Sequence, residues 1–201
     1  IACYKNLIFL TETGKNRIQV LNLETYTVEF FIEIGNIRDD TNHINAINID
    51  KKFLFIGLNN GHKKNMFKNS QLIKIPTHKI YNIQTIDALK FGSLENLYNV
   101  YHTHDIEKFN DDLLISSSNL GKIYSYKKKK FIIDINPWTR GITTSNSYIF
   151  IGKSGMGKRK SRHSRYYDGE IYILDKMKFT ILKKINIPKI GQLNDIVYIE
   201  D

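Results

Sequence analysis

One cysteine, three prolines and a single tryptophan stand in 201 residues. A lone Cys3 cannot close an internal disulfide, and it excludes a cysteine-rich zinc site. So few prolines exclude a Pro-rich linker. No apolar run approaches about 18 residues, which excludes a membrane-spanning helix. No stretch has the pattern of a secretory signal peptide, and a cytoplasmic location is expected. A Gly-x-Ser-x-Gly elbow, a His-Glu-x-x-His pair and a Gly-x-x-x-x-Gly-Lys-Ser/Thr loop are all missing. Arginine is scarce too: of 30 basic residues only six are Arg.

What is present is basic and β-forming. Twenty acidic residues leave a net charge of +10, which invites an acidic partner. Yet 24 Lys, 20 Asn and 32 Ile are what an AT-rich genome writes by codon bias, so part of that charge reads as solvated surface. Apolar runs recur and end near a glycine: Leu7 to Leu10, Phe53 to Ile56, Leu113 to Ile115 and Tyr148 to Ile151. An alternating stretch follows each one: Arg17 to Leu23, Gln71 to Ile75, Lys122 to Tyr126 and Glu170 to Leu174. A second β-rich stretch closes each repeat: Val28 to Ile34, Lys79 to Ile86, Phe131 to Ile135 and Thr180 to Ile187. Only residues 87–100 read as a short helix. Lys127 to Lys130 falls between two strands and reads as a solvated turn.

A fourth element precedes three of the strong runs. It is Asn45-Ala46-Ile47, His104-Asp105-Ile106 and Arg140-Gly141-Ile142, and Asn194-Asp195-Ile196 repeats it near the C-terminus. The spacings are 59, 36 and 54 residues. Four strands (A to D) at such a period predict an all-β fold, a β-propeller forming a single domain over residues 1–201. The sequence starts on a strand B and ends on a strand A. Pairing Leu193 to Ile199 with Asn6 to Glu12 would therefore close four blades. The alternative is a fragment of a larger five- or six-bladed propeller, for which the absence of an initial Met speaks.

The segments His102-Thr103-His104-Asp105-Ile106, Trp138-Thr139-Arg140-Gly141-Ile142, Asp168 to Asp175 and Gly191-Gln192-Leu193-Asn194-Asp195-Ile196 resemble motifs of an uncharacterised family of bacterial propeller proteins. The likeness covers about residues 100–199. It implies the propeller fold and no settled activity, although some members of that family sit near glycan-biosynthesis functions.

In a propeller, strand A lines the channel, and the D–A and B–C connections share one face. Asn45, His104, Arg140 and Asn194 are then expected to ring the channel mouth. His43, His102, Trp138 and Gln192 lie two residues upstream, and Glu12, Asn59, Ser118, Ser154 and Lys153 leave strand B. Polar groups there need partners. They either plug the pore with each other and water, or bind a ligand. His43, His102 and His104 could ligate a transition metal, with His102 and His104 expected on one strand face. Arg140 at an equivalent position and a ring without carboxylates count against a metal, and calcium fits less well still. An anion fits better, because Arg140 offers a bidentate fork. The two long B–C connections agree: 59–70 carries Lys63, Lys64 and Lys68, and 153–168 carries Lys153, Lys158, Arg159, Lys160, Arg162 and Arg165. The second reads as an anion-clasping lid.

Three readings stay open. One is a channel-mouth pocket for a small anionic ligand such as a sugar phosphate, a nucleotide-linked sugar or a carboxylate. Arg140, Asn45, Asn194, His43, Glu12, Lys153, Trp138 and Arg162 would contact it, with Tyr101, Tyr166 and Tyr167 for stacking. If that pocket is catalytic, His104 or His102 is the acid/base of a hydrolase, lyase or isomerase. Cys3 is a poor nucleophile, and no carboxylate pair is identifiable. The second is a non-catalytic module whose basic face grips an acidic protein or nucleic acid, and the third is a fragment with no function of its own. Nucleic acid is disfavoured, since only Tyr166-Tyr167 beside Arg165 hints at a stacking platform.

Overall fold

The computed structural model describes residues 1–35, 42–59, 68–80, 85–155, 167–191 and 193–199. β-Branched and aromatic residues alternate with polar ones, and the described residues fold accordingly into four sheets. The first joins β1 (Ala2–Tyr4), β2 (Leu7–Glu12), β3 (Arg17–Asn22) and β4 (Val28–Glu33). The second joins β5 (Ile44–Ile49), β6 (Phe53–Leu58), β7 (Ser70–Pro76) and β9 (Ser93–Leu97). Between β7 and β9 lie β8 (Thr85–Asp87) and a single-turn helix, α1 (Ala88–Phe91). The third sheet runs β10 (Thr103–Phe109), β11 (Asp112–Ser117), β12 (Lys122–Ser125) and β13 (Lys130–Asp134). The fourth runs β14 (Thr139–Thr144), β15 (Tyr148–Lys153), β16 (Gly169–Asp175) and β17 (Ile181–Ile187). Strands B and C of each repeat stand where the periodicity predicts them. Four-stranded antiparallel sheets in sequence order are propeller blades.

The chain divides into two compact units, Ile1–Ile106 and Glu107–Asp201. Period-2 burial builds each core. In β3, Ile18 and Val20 are fully buried while Arg17 and Gln19 are not. They join Phe9, Ile32, Leu54, Ile56 and Ile75 in the core of the first unit. In the second unit Leu114, Ile123, Ile149, Ile151 and Leu174 form the counterpart. Side-chain oxygens fix the turns between strands. Asp112 accepts from Ser125 Oγ at 2.5 Å and from the backbone N–H of Lys127 at 2.7 Å. Lys127 to Lys129 are thereby held in the β12–β13 turn, and Lys130 opens β13 opposite Ser125.

Three expectations are corrected. Ala2–Tyr4 is a strand: it pairs antiparallel with β2, Cys3 opposite Ile8. With β3 on its other side, β2 has no edge left for Leu193 to Ile199, so the expected closing pair does not form. Residues 193–199 take no strand conformation and run beside β14, with the Tyr198 N–H 3.4 Å from Thr143 Oγ1. The fourth strand of the second sheet is β9, not Lys79 to Ile86. Of that segment, β8 crosses to the first sheet and pairs parallel with β4, Ile86 opposite Ile32. Its described isoleucines, Ile80 and Ile86, are fully buried in the first unit's core.

Candidate functional site

The residue before each lead strand (strand A) bends the chain into it. His43, His102 and Trp138 precede β5, β10 and β14, and all three have positive φ, 45°, 53° and 75°. These are costly conformations for side chains of that size, and their recurrence marks one built turn. The residue leaving strand B ties to the same turn. In the first unit Asn59 N–H donates to the carbonyls of Asn42 at 2.9 Å and His43 at 3.4 Å. In the second, Ser154 N–H donates to Trp138 O at 3.0 Å, and Trp138 N–H donates to Ser118 O at 2.6 Å. The expected meeting of strand-A starts with strand-B ends therefore holds inside each unit.

A bulge then aims the next side chain. Ile44 faces Leu58 while Ala46 faces Gly57, so Asn45 is an extra residue. Thr139 faces Lys153 while Ile142 faces Ile151, leaving one extra residue at Arg140-Gly141. Bulges twist a strand and redirect its side chain. Gly57 supplies the other half of the geometry. A Cβ there would sit 2.9 Å from Thr103 Cγ2 and 3.2 Å from Ala46 Cβ, so only glycine lets β10 come this close to β6. The outcome is a hydrogen bond of 3.2 Å between Asn45 Nδ2 and His104 Nδ1, across 59 residues of sequence. Both side chains are half-buried. Asn59 (4% exposed) and Thr103 (fully buried) stand at neighbouring strand ends, and among the described residues the Asn59 side-chain amide and the Thr103 hydroxyl have no hydrogen-bond partner.

The remaining candidates fall differently. Glu12 is held by Arg17 Nε and by Lys15 Nζ at 3.1 Å. The Arg17 hydrogen bond, with Lys15 assisting against desolvation, lowers its pKa. It is thus a structural carboxylate. Lys153 Nζ lies 3.0 Å from Glu170 Oε2, so its charge is already matched. Arg140 is half-buried with its Nε enclosed, and Trp138 is half-buried beside it in sequence. Asn194 is exposed, unlike the other three ring positions. His102 lies outside β10, so the expected shared strand face with His104 is lost. Among the described residues no three His, Cys, Asp or Glu side chains group as metal ligands. Arg162, Gln192, Lys63, Lys64, Tyr166 and the cations from Lys158 to Arg165 lie outside the described residues.

Two polar features escaped the sequence reading. Glu170 accepts from Lys153, from Lys184 Nζ at 2.9 Å and from Tyr172 OH at 2.6 Å. Burial alone would raise its pKa; the Lys184, Tyr172 and Lys153 hydrogen bonds outweigh burial and hold it at about 2. The cross-strand pairing of Tyr172 with Lys184 would have signalled it, had the β16–β17 register been known. Glu107 on β10 accepts from Thr144 Oγ1 at 3.3 Å, and desolvation, with the charge of Asp195 adding, raises its pKa.

No family model matches the chain, and no curated protein sequence does. Solved structures do. Kuenenia stuttgartiensis hydrazine synthase aligns over 91% of this chain and 46% of that one, at 9% identity and a TM-score of 0.58. The nidogen/laminin complex aligns over 94% and 64%, at 14% identity and 0.58. Moraxella catarrhalis BamB aligns over 96% and 50%, at 15% identity and 0.51. These likenesses carry the β-propeller fold alone, and the chain spans 46%, 64% and 50% of these three structures.

Proposed function

We propose that this propeller protein binds a small anionic molecule at the polar lead-in of β5 and β10, around Asn45 and His104. Candidate ligands are a sugar phosphate, a nucleotide-linked sugar and a carboxylate. The observation that carries the reading is the Asn45–His104 hydrogen bond beside the buried amide of Asn59. A buried amide that satisfies neither its donor nor its acceptor is costly, and a ligand that supplies both partners recovers that cost. If Asn45 Nδ2 is the donor, His104 Nδ1 accepts, and a ring in that tautomer holds its proton on Nε2. Such a ring can donate to an anion, and it is the residue on which proton transfer would fall in a hydrolase, lyase or isomerase. Arg140 holds the same repeat position in the second unit, at the corresponding bulge, where its guanidinium suits a carboxylate or phosphate. The runs around His104, Arg140 and Asn194 support a place in the bacterial propeller family they resemble.

Thermal shift and calorimetry against sugar phosphates, nucleotide sugars and dicarboxylates test this. A binder should lose about tenfold in affinity with His104→Ala or Asn45→Ala, as loss of one or two buried hydrogen bonds implies. Affinity unchanged in both variants would reject the site.

A second reading has its own support. On β17, Ile181, Leu182 and Ile185 are exposed beside exposed Lys183. An apolar, basic edge of this kind suits a module that grips an acidic protein.

A further inference from the structure

At the opposite end of β6 from Asn59, the second sheet carries a pocket of about 370 Å³, open to solvent. Strand register explains its walls. Phe53 faces Pro76, Phe55 faces Lys74, and Lys74 faces Ser93, so Phe53, Pro76, Lys74 and Ser93 share one end and one face of the sheet. The alternate residues Leu54, Ile73 and Ile75 point to the opposite face, into the first unit's core. The helix α1 delivers Lys90 and Phe91 to the rim, and Lys79 follows β7.

The frame is fixed before any ligand arrives. Asp50 Oδ1 accepts from Lys52 N–H at 2.7 Å and Phe53 N–H at 2.8 Å, and Thr77 Oγ1 donates to Asp50 O at 3.1 Å. Asp87 caps α1 through Leu89 N–H at 3.0 Å. Gly92 is pressed onto β7: a Cβ there would lie 2.8 Å from Ala88 O and 2.9 Å from Ile73 Cγ2. Lys74 Nζ is itself oriented, 3.8 Å from the centroid of the Phe53 ring. Three lysines, Lys74, Lys79 and Lys90, therefore line one concavity together with Phe53, Pro76 and Phe91. Lys90 Nζ lies 3.7 Å from Asp87, at a well-exposed position where such a pair is weak.

We infer that this pocket is a second binding site, separate from the Asn45–His104 lead-in, and that it takes an organic phosphate. The phosphoryl oxygens sit among Lys74, Lys79 and Lys90, and the organic part lies along Phe91 and Pro76. Three compact point charges without a carboxylate-matching fork suit a phosphoryl group, whose several oxygens accept from ammonium donors in many orientations. The volume falls within the range of small-molecule sites.

Calorimetry with AMP and with inorganic phosphate tests the site on the full chain, on the triple variant Lys74→Gln/Lys79→Gln/Lys90→Gln and on His104→Ala. All three lysines stand at the surface, and an unchanged melting temperature will establish that the triple variant is folded. The expected result is AMP binding that exceeds phosphate binding, falls at least about tenfold in the triple variant and persists in His104→Ala. No AMP binding to the parent at millimolar concentration would overturn the inference. So would AMP affinity that survives the triple variant, or AMP affinity lost only in His104→Ala, which would assign the ligand to the lead-in. Equal affinity for inorganic phosphate would overturn the organic part of the assignment.

Discussion

The two units use the same glycine differently. Gly57 and Gly152 stand at the same place in β6 and β15, and each admits the residue just before a ring position: Thr103 in one case, Leu193 in the other. Between them Ser116 occupies the equivalent place in β11 and bonds Thr139 Oγ1 at 2.8 Å. In the first unit the admitted segment continues as β10 and brings His104 to Asn45. In the second, Leu193 docks, Ser154 Oγ donates to its carbonyl at 2.5 Å, and the following residues form no ladder. Asn194 is left exposed. Docking one side chain onto the preceding blade thus does not require strand pairing, but presenting the ring residue does.

The largest test of that comparison replaces each glycine. Gly152→Ala would press a Cβ into Leu193 Cδ2 and the Arg140 carbonyl, and the carbonyl is backbone that cannot step aside. Denaturant titration should show a loss of about 3 kcal/mol, at the upper end for overpacking. Gly57→Ala meets a methyl at 2.9 Å and two further side-chain atoms at 3.2 Å, so about 1–2 kcal/mol is expected, with ligand affinity at the lead-in lost as well. Equal costs would show that the docked segment yields as readily as a strand.

Next in size is Glu170→Ala. It strips the shared acceptor from Lys153, Lys184 and Tyr172, and should cost about 2 kcal/mol at neutral pH. Because the folded pKa is depressed to about 2 from 4.5, the carboxylate's stabilisation is present above 4.5 and lost as pH falls through that window. Parent and variant melting temperatures should therefore converge in acid. A gap that persists at pH 2 would mean the side chain acts by packing.

The Asn45–His104 pair should contribute less. A double-mutant cycle to alanine is expected to give a coupling of about 0.5–1 kcal/mol, since both groups retain some solvent. Smallest is Glu107→Gln. A carboxylate with a raised pKa destabilises the fold once ionised, so the amide should raise the melting temperature slightly at neutral pH. The gain should vanish as pH falls and Glu107 protonates. A variant that melts lower at every pH would assign Glu107 a packing role.

Much of the architecture was legible because its determinants are local. Strands B and C carry strong alternation bounded by turn residues, and the repeat copies agree with one another. β9 was missed because Ser93 to Leu97 buries little beyond Leu97, leaving no apolar alternation to read. β1 was missed because three residues before the Lys5-Asn6 turn are too few to show a period. The ring positions were legible as repeats, and the bulge that aims Asn45 was not, since it depends on the register with Gly57 and Leu58. Charge was the least legible. Lys153 and Glu12 look available in sequence and are spent on Glu170 and on Arg17 with Lys15.

The parallel pairing of β8 with β4 has a consequence for how this protein can be cut and rebuilt. Between β7 and β9 the chain leaves its own sheet, adds a fifth strand to the preceding one and returns through α1. The first two blades are therefore laced together, and neither is a cassette. Excising residues 42–100 as a blade would take the outermost strand of the first sheet with it and bare the backbone groups of β4 along Phe31 to Glu33. Shuffling designs that treat the repeats as interchangeable should respect this by moving β1 to β9 as one piece. The fourth blade, whose outermost strand β17 has no such fifth strand, is the better place to append a new one.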